Sequence, residues 1–263
     1  MAFNAQSNTS GSVLNLAYSA FLGGVYLVTP ETDALIAEAK KQVGEAEVKK
    51  GYTGNTGATA QARKFLKEKG VTFGNISGKL VHANLRKTDK DGRSYTYVNV
   101  CVRDADGLYC LAVPAGHESA QLLTRKLANA KFGEETTIAV FALYEKSENP
   151  AYPDRMFAKH IASVKQNGEE VTGVSPSPIK ALVDAQLGKL KESGIDDKEV
   201  LQKARAGVVN QFHFGIWTDI DANVASYKAS RGDNEAPAST ESASAAAATS
   251  GGFDDMDDLD IPF

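Results

Sequence analysis

Cysteine is nearly absent: Cys101 and Cys110 are the only two in 263 residues. No disulfide framework is implied, and a reducing cytoplasm is the default setting. Cations are missing before Lys40, so the N-terminal stretch lacks the charged region that opens a signal peptide. Residues 13–28 are fairly apolar, but Asn15, Ser19, Gly23 and Gly24 interrupt them. They read as a buried segment, one or two strands or a strand plus a turn, rather than a membrane span. Enzyme signatures are also lacking. There is no Gly-rich phosphate loop followed by Lys and Ser or Thr, and no nucleophile elbow. The four histidines, His82, His117, His160 and His213, fall on different elements. Cys101, Cys110 and His82 lack the paired short spacings of a zinc motif. Asp104 and Asp106 lie in a turn, where Asp is ordinary. The expectation is a protein without catalysis, metal or cofactor.

What is present begins with a charge asymmetry. The chain holds 29 Lys and Arg against 33 Asp and Glu, and residues 229–263 account for one cation and eight acids. The body therefore carries 28 cations against 25 acids. A mildly basic body suits a polyanion, whereas an acidic tail does not. With 42% hydrophobic residues, a sizeable core is within reach.

Along the chain, residues 33–49 and 58–69 show helical spacing, and residues 1–70 are expected to form an extension packed on the main domain. From Val71 the period becomes two. Residues 71–87 read as a long strand, with Gly74 and Gly78 marking a bend or bulge. Asp91-Gly92 signals a hairpin turn into a strand over 94–103. Asp106-Gly107 leads into a strand over 108–113, a helix over 117–131, and strands over 135–146 and 155–165. Strand, strand, strand, helix, strand, strand is the order of an OB-fold, a small barrel that binds oligonucleotides. The predicted class is thus α+β: a five-stranded OB-fold β-barrel over 71–173, with helical additions on either side. Residues 178–191 and 195–212 are the expected helices of a C-terminal addition spanning 174–228. Phe212, Phe214, Ile216 and Trp217 form an apolar cluster expected to pack it on the barrel, with base stacking by Trp217 as the lesser alternative. Residues 229–252 consist mainly of small and polar residues with no large apolar side chain. They cannot offset their ordering entropy and read as a disordered linker.

Register follows from the turn. If Asp91-Gly92 is a two-residue turn, Lys90 pairs with Arg93, Arg86 with Tyr97, Asn84 with Asn99 and His82 with Cys101. On the other face, Leu85 meets Val98, Ala83 meets Val100 and Val81 meets Val102. The valine face belongs inside. The outer face then gathers His82, Asn84, Arg86, Tyr95, Tyr97, Asn99 and Arg103, with Lys87, Lys90 and Arg93 at its rim. Tyr109 falls on the core side or its rim. Tyr is common in strands and exposed Lys or Arg is ordinary, so no single residue carries the argument. Rings interleaved with cations on one face suit single-stranded nucleic acid, because bases stack on the rings while cations follow phosphates. Lys146, Tyr152 and Arg155 flank the loop between the last two strands, and Tyr152 and Arg155 are added to the candidate DNA-binding set.

The chain ends on an acidic tip with apolar residues, residues 253–263. Asp257-Asp258-Leu259-Asp260-Ile261-Pro262-Phe263 resembles the tip of bacterial single-stranded-DNA-binding proteins. That resemblance implies an OB-fold that binds the strand, and a tip that recruits replication, repair and recombination enzymes. It implies that Pro262 and Phe263 enter an apolar pocket beside Ile261, that the terminal carboxylate meets a basic residue, and that Asp257, Asp258 and Asp260 lie along a basic ridge. Bacterial members begin the barrel near the N-terminus, whereas about seventy residues precede it here. The chain is therefore more similar to phage or plasmid single-strand binders with a host-style tip. The expected setting is the cytoplasm, of the bacterial host if the protein is phage-encoded. The expected partners are single-stranded DNA and the enzymes held by the tip, with no membrane; homo-oligomerisation stays open. Two other readings fit parts of the chain: an adaptor or transcription factor acting through the acidic tail, and a strand-annealing recombination protein.

Overall fold

The computed structural model describes residues 12–90, 92–147 and 155–231. These residues form one eight-stranded mixed sheet and six helices. The strands are β1 (Ser12–Ser19), β2 (Gly24–Leu27), β3 (Ile76–Lys90), β4 (Arg93–Arg103), β5 (Gly107–Pro114), β6 (Glu135–Lys146), β7 (Met156–Gln166) and β8 (Glu169–Glu170). The helices are α1 (Pro30–Val43), α2 (Glu45–Lys49), α3 (Gly57–Glu68), α4 (Glu118–Leu127), α5 (Ser177–Glu192) and α6 (Lys198–Ser230).

The expected five-stranded OB barrel is not what the chain builds. The sheet is open, in the order β2-β1-β5-β4-β3-β6-β7-β8. Closing β3 to β7 into a barrel would need the outer edge of β5 to reach the outer edge of β7. Instead β1 takes the β5 edge in parallel, pairing Val13 with Leu108 through Ala17 with Ala112, and β2 pairs outside it. On the other side β7 is followed by β8. The N-terminal segment expected to pack on the domain thus supplies two strands to the sheet itself. The reason lies in its alternation: Leu16 and Tyr18 are buried on one face, which only a sheet position satisfies. The sheet still coils, since Gly23 O in the β1–β2 turn accepts from Ala142 N of β6 at 3.2 Å.

Two apolar cores lie on opposite sides of β1 and β2. Leu16 and Val25 join the main core with Leu80, Val98, Val100, Leu111, Leu123 and Ile138. Their chain neighbours Ala17 and Tyr26 face a second core with Phe21, Leu22, Ile36, Ala62 and Leu66, built on α1 and α3. Alternation in a strand sends neighbours to opposite faces, so α1 and α3 cover the outer face of β1 and β2. Helix α1 starts on the Thr29 cap, whose hydroxyl accepts from Thr32 N, with Pro30 in its first turn. It breaks at Gly44, which has φ +90°, so the single helix expected over 33–49 is two.

At the C-terminal side, α5 packs against α6. Helix α6 runs 33 residues, far past the expected stop near Phe212 and through the first residues assigned to the linker. Its buried stripe of Ile216, Trp217, Ile220 and Val224 joins the main core and explains the extension. Trp217 is only 4% exposed, so it is a core residue and not a base-stacking platform. The acidic tip and most of the linker lie outside the described residues. No helix among the described residues is long and apolar enough to cross a membrane.

A buried polar cluster ties β1, the start of α4 and β7 together. The Tyr18 hydroxyl and His160 Nδ1 share a 2.6 Å hydrogen bond, and the His117 and His160 rings cross with centroids 4.5 Å apart. His117 caps α4, its Nδ1 accepting from Ser119 N. Burial pushes His117 down to about 3, helped by the neighbouring His160, and His160 down to about 4. Their ordinary value is 6.5, so unfolding lets both take up protons across the interval. Their contribution to stability is complete above pH 6.5 and is lost as pH falls towards these depressed values. Glu118 beside them is raised by burial and therefore acts in the opposite sense at lower pH, around the carboxylate range. We predict that the urea midpoint falls between about pH 7 and about pH 5, and that His160→Gln shows a shallower fall, measured by chemical denaturation at each pH. An unchanged slope in the variant would remove His160 from this role.

Candidate nucleic-acid interface

The β3–β4 hairpin adopts the register that its turn implies along most of its length. Lys90 pairs with Arg93, Arg86 with Tyr97, Asn84 with Asn99 and His82 with Cys101. The apolar face follows with Leu85 on Val98 and Ala83 on Val100. One pair differs. Val102 meets Leu80, not Val81, because a bulge at Val81 shifts the ladder between Leu80 and His82. The extra residue restores Leu80 to the core, where it is fully buried. Just below, Gly78 has φ +147°, and a Cβ there would sit 2.6 Å from Arg103 O. Glycine is the residue that allows β3 to bend this closely over the end of β4.

Above the bulge, the outer face carries the predicted set in one surface. His82, Asn84, Arg86, Tyr95, Tyr97 and Asn99 are each half-buried, and Arg103 is exposed. Asn99 Nδ2 donates to Asn84 Oδ1 at 3.1 Å and approaches Cys101 Sγ at 3.8 Å. These bonds brace the floor and leave Tyr95, Tyr97, Arg86 and Arg103 as its projecting groups. Lys87 alternates onto the other side of the hairpin, where it is exposed, so it lies outside this face. Lys90 and Arg93 occupy the last ladder position before the turn. Arg155 is exposed at the entry to β7, with its carbonyl accepting from Ser147 N, and belongs to another part of the sheet. Tyr152 lies outside the described residues, as do Asp257, Asp258, Asp260, Ile261, Pro262 and Phe263. Tyr109 is buried in the main core.

Cys101 and Cys110 are opposite one another in β4 and β5 and are joined by a disulfide, with Cα atoms 4.2 Å apart. No framework was implied by two cysteines, and the pairing is a consequence of register. The bridge lies in the floor of the face, since Cys101 shares the side of Asn99 and is only 3% exposed. Among the described residues, no group of three or more His, Cys, Asp or Glu side chains is arranged to hold a metal ion.

Two walls bound the face. On one side α1 and α3 cover the same side of β1 and β2. Tyr26, from that wall, feels both Asp33 and Tyr97, and burial with these neighbours raises its phenol. On the other side the end of α6 comes close to β3. Burial depresses the His82 imidazole, with the charge of Lys228 adding to this and Asp221 opposing it. His82 Nδ1 is buried without a hydrogen-bond partner. Tyr26 and Lys228 were not among the expected site residues. Tyr26 lies in an apolar segment and Lys228 at the end of a long helix, and only the packing of both against the sheet brings them to its edges.

Chemically, the face offers rings, amides and cations with no carboxylate in the predicted set. Such a surface can stack bases and neutralise phosphates. No family model, curated protein or solved structure matches the chain.

Burial raises the Tyr97 phenol, and Tyr95 adds to this while Arg86 works against it. We predict that Tyr97→Phe removes a phenol titrating above the ordinary value of 10, read from the alkaline absorbance difference between wild type and variant. A missing component at or below 10 would contradict the half-buried position.

Proposed function

We propose that the protein binds single-stranded DNA with little sequence preference, protects it during replication, recombination and repair, and recruits partner enzymes through its C-terminal tip. The observation that carries this reading is the gathering of Tyr95, Tyr97, Arg86 and Arg103 on one face by a ladder whose other side is apolar at Ala83 and Leu85 and at Val98, Val100 and Val102. Its rings suit base stacking at about 1–3 kcal/mol each, and its cations suit phosphate. The Asn84 and Asn99 amides are bonded to each other, which favours tolerance over a base-edge code. The second support is the tip, whose Ile261-Pro262-Phe263 end and neighbouring aspartates resemble those of bacterial single-strand binders. The binding itself needs no cofactor and no membrane, and the proposed setting is the cytoplasm, where reducing conditions would open the Cys101–Cys110 bridge to two thiols.

Fluorescence anisotropy with labelled oligo(dT) tests the first half. Wild type should bind at low micromolar concentration or better in low salt, and affinity should fall steeply as salt rises. Tyr95→Ala with Tyr97→Ala should weaken binding by about 10-fold or more, from the loss of base stacking. Full affinity in the double variant would refute the face; absence of binding by wild type would refute the function. Complementary strands mixed with the protein separate coating from annealing: a coating protein does not accelerate pairing.

The tip has its own test. Deleting Phe263 should abolish capture of a host repair or replication enzyme while leaving oligo(dT) affinity intact or raised, because an acidic tail competes with DNA for a basic surface. Capture that survives the deletion would separate the tail from partner binding.

A further inference from the structure

We infer that the hollow between the end of α4 and the end of α6 is a second contact site for the same single strand, taking a nucleotide beyond the β3–β4 face. This rests on the nucleic-acid reading above and extends it to residues that the sequence pattern did not mark. The hollow has a volume of about 450 Å³ and is lined by Asn129, Lys131, Phe132, Asn223 and Tyr227 among others. That lies within the range of about 300–1,000 Å³ in which small ligands are held.

Its construction suits a base and a phosphate. The Phe132 and Tyr227 rings lie 6.5 Å apart at a tilt of 37°. Gly133 makes their arrangement feasible: with φ +93°, any Cβ would sit 2.7 Å from Tyr227 Cε2. Arg231 stands 5.7 Å over the Tyr227 ring and donates from Nη1 to its hydroxyl at 3.2 Å. Asn223 Nδ2 donates to Ala128 O at 3.1 Å, which directs that amide's donor into the helix end and leaves its carbonyl as an acceptor for a base amino group. Lys131 is exposed at the rim, and among the described residues no Asp or Glu lines the hollow. A phosphate therefore meets positive charge without a facing carboxylate.

Continuity with the β face comes from α6. Helix α6 packs on β3, and Gly133 N beside the hollow donates to Leu80 O of β3 at 2.7 Å, two residues before His82; Lys228, next in the chain to Tyr227, also acts electrostatically on His82. Asp221, a helix neighbour, also faces His82 and limits the positive field there. A strand following β3 from Asn84 past His82 therefore approaches Gly133 and the ring pair beside it.

The test uses the full chain and oligo(dT) of two lengths, about 6 and about 30 nucleotides, chosen to fit one face or exceed it. Lys131→Glu is suitable because its side chain is exposed and should not disturb folding. It should weaken the longer oligonucleotide by about 10-fold, with a shallower salt dependence, and leave the shorter one unchanged. Photo-crosslinking of the wild type to 5-iodouracil-substituted oligonucleotide, mapped by mass spectrometry, should yield an adduct on Phe132 or Tyr227 as well as on Tyr95 or Tyr97. Adducts confined to the β face, together with unchanged Lys131→Glu affinity at both lengths, would overturn the second site and leave the first standing. Failure of wild type to bind either length would overturn both. Tyr97→Ala weakening both lengths, while Lys131→Glu weakens only the longer, separates the two sites.

Discussion

A one-residue slip in the β3–β4 ladder would exchange the two faces of the hairpin, sending Tyr97 and Arg86 into the core and Val98 and Leu85 to solvent. Burial of Val98, Val100 and Val102 forbids this. The candidate interface is thus held by apolar burial on the reverse side, and its polar residues take the outer side because their neighbours cannot. The bulge at Val81 is the one relaxation of the ladder. It keeps Leu80 in the core while the strand bends at Gly78 towards β6, so the same strand serves two sheet neighbourhoods.

From that hairpin the rest of the architecture extends in both directions. Through β5 the sheet gains β1 and β2, and with them a second core of α1 and α3 on the outer side. Through β3 it gains β6, which pairs with β3 over Ile76–Lys79, and β7 pairs with β6 in turn. Helix α6 packs against β3 and α4. The open part of the face is therefore what remains between two helical layers.

Much of the interface was legible in the sequence because strand alternation and an Asp-Gly turn are local signals. Asp91-Gly92 alone predicted which residue faces which from Lys90 down to His82. It failed at Val81 because a bulge is an energetic compromise between ladder geometry and burial of Leu80, and no local residue type announces it. The OB barrel was read from element order, and order does not specify which edges meet. Residues 13–28 appeared as an apolar segment, but nothing local in Leu14, Leu16 or Tyr18 says that they will pair in parallel beside β5. Lys87 was grouped with the rim by proximity in sequence, whereas its parity sends it to the opposite side.

The chain by itself determined the periodic elements, the polar and apolar sides of the β3–β4 hairpin, the charge division between body and tail, and the acidic tip. These depend on residues within a few positions of one another, where backbone geometry and burial act directly. Tertiary structure decided that the sheet stays open, that β1 and β2 join it beside β5, that the ladder bulges at Val81, and that Tyr26 and Lys228 come to the edges of one face. Those outcomes depend on competition among distant segments for the same strand edges and apolar surfaces, and that competition is settled only when the whole chain packs.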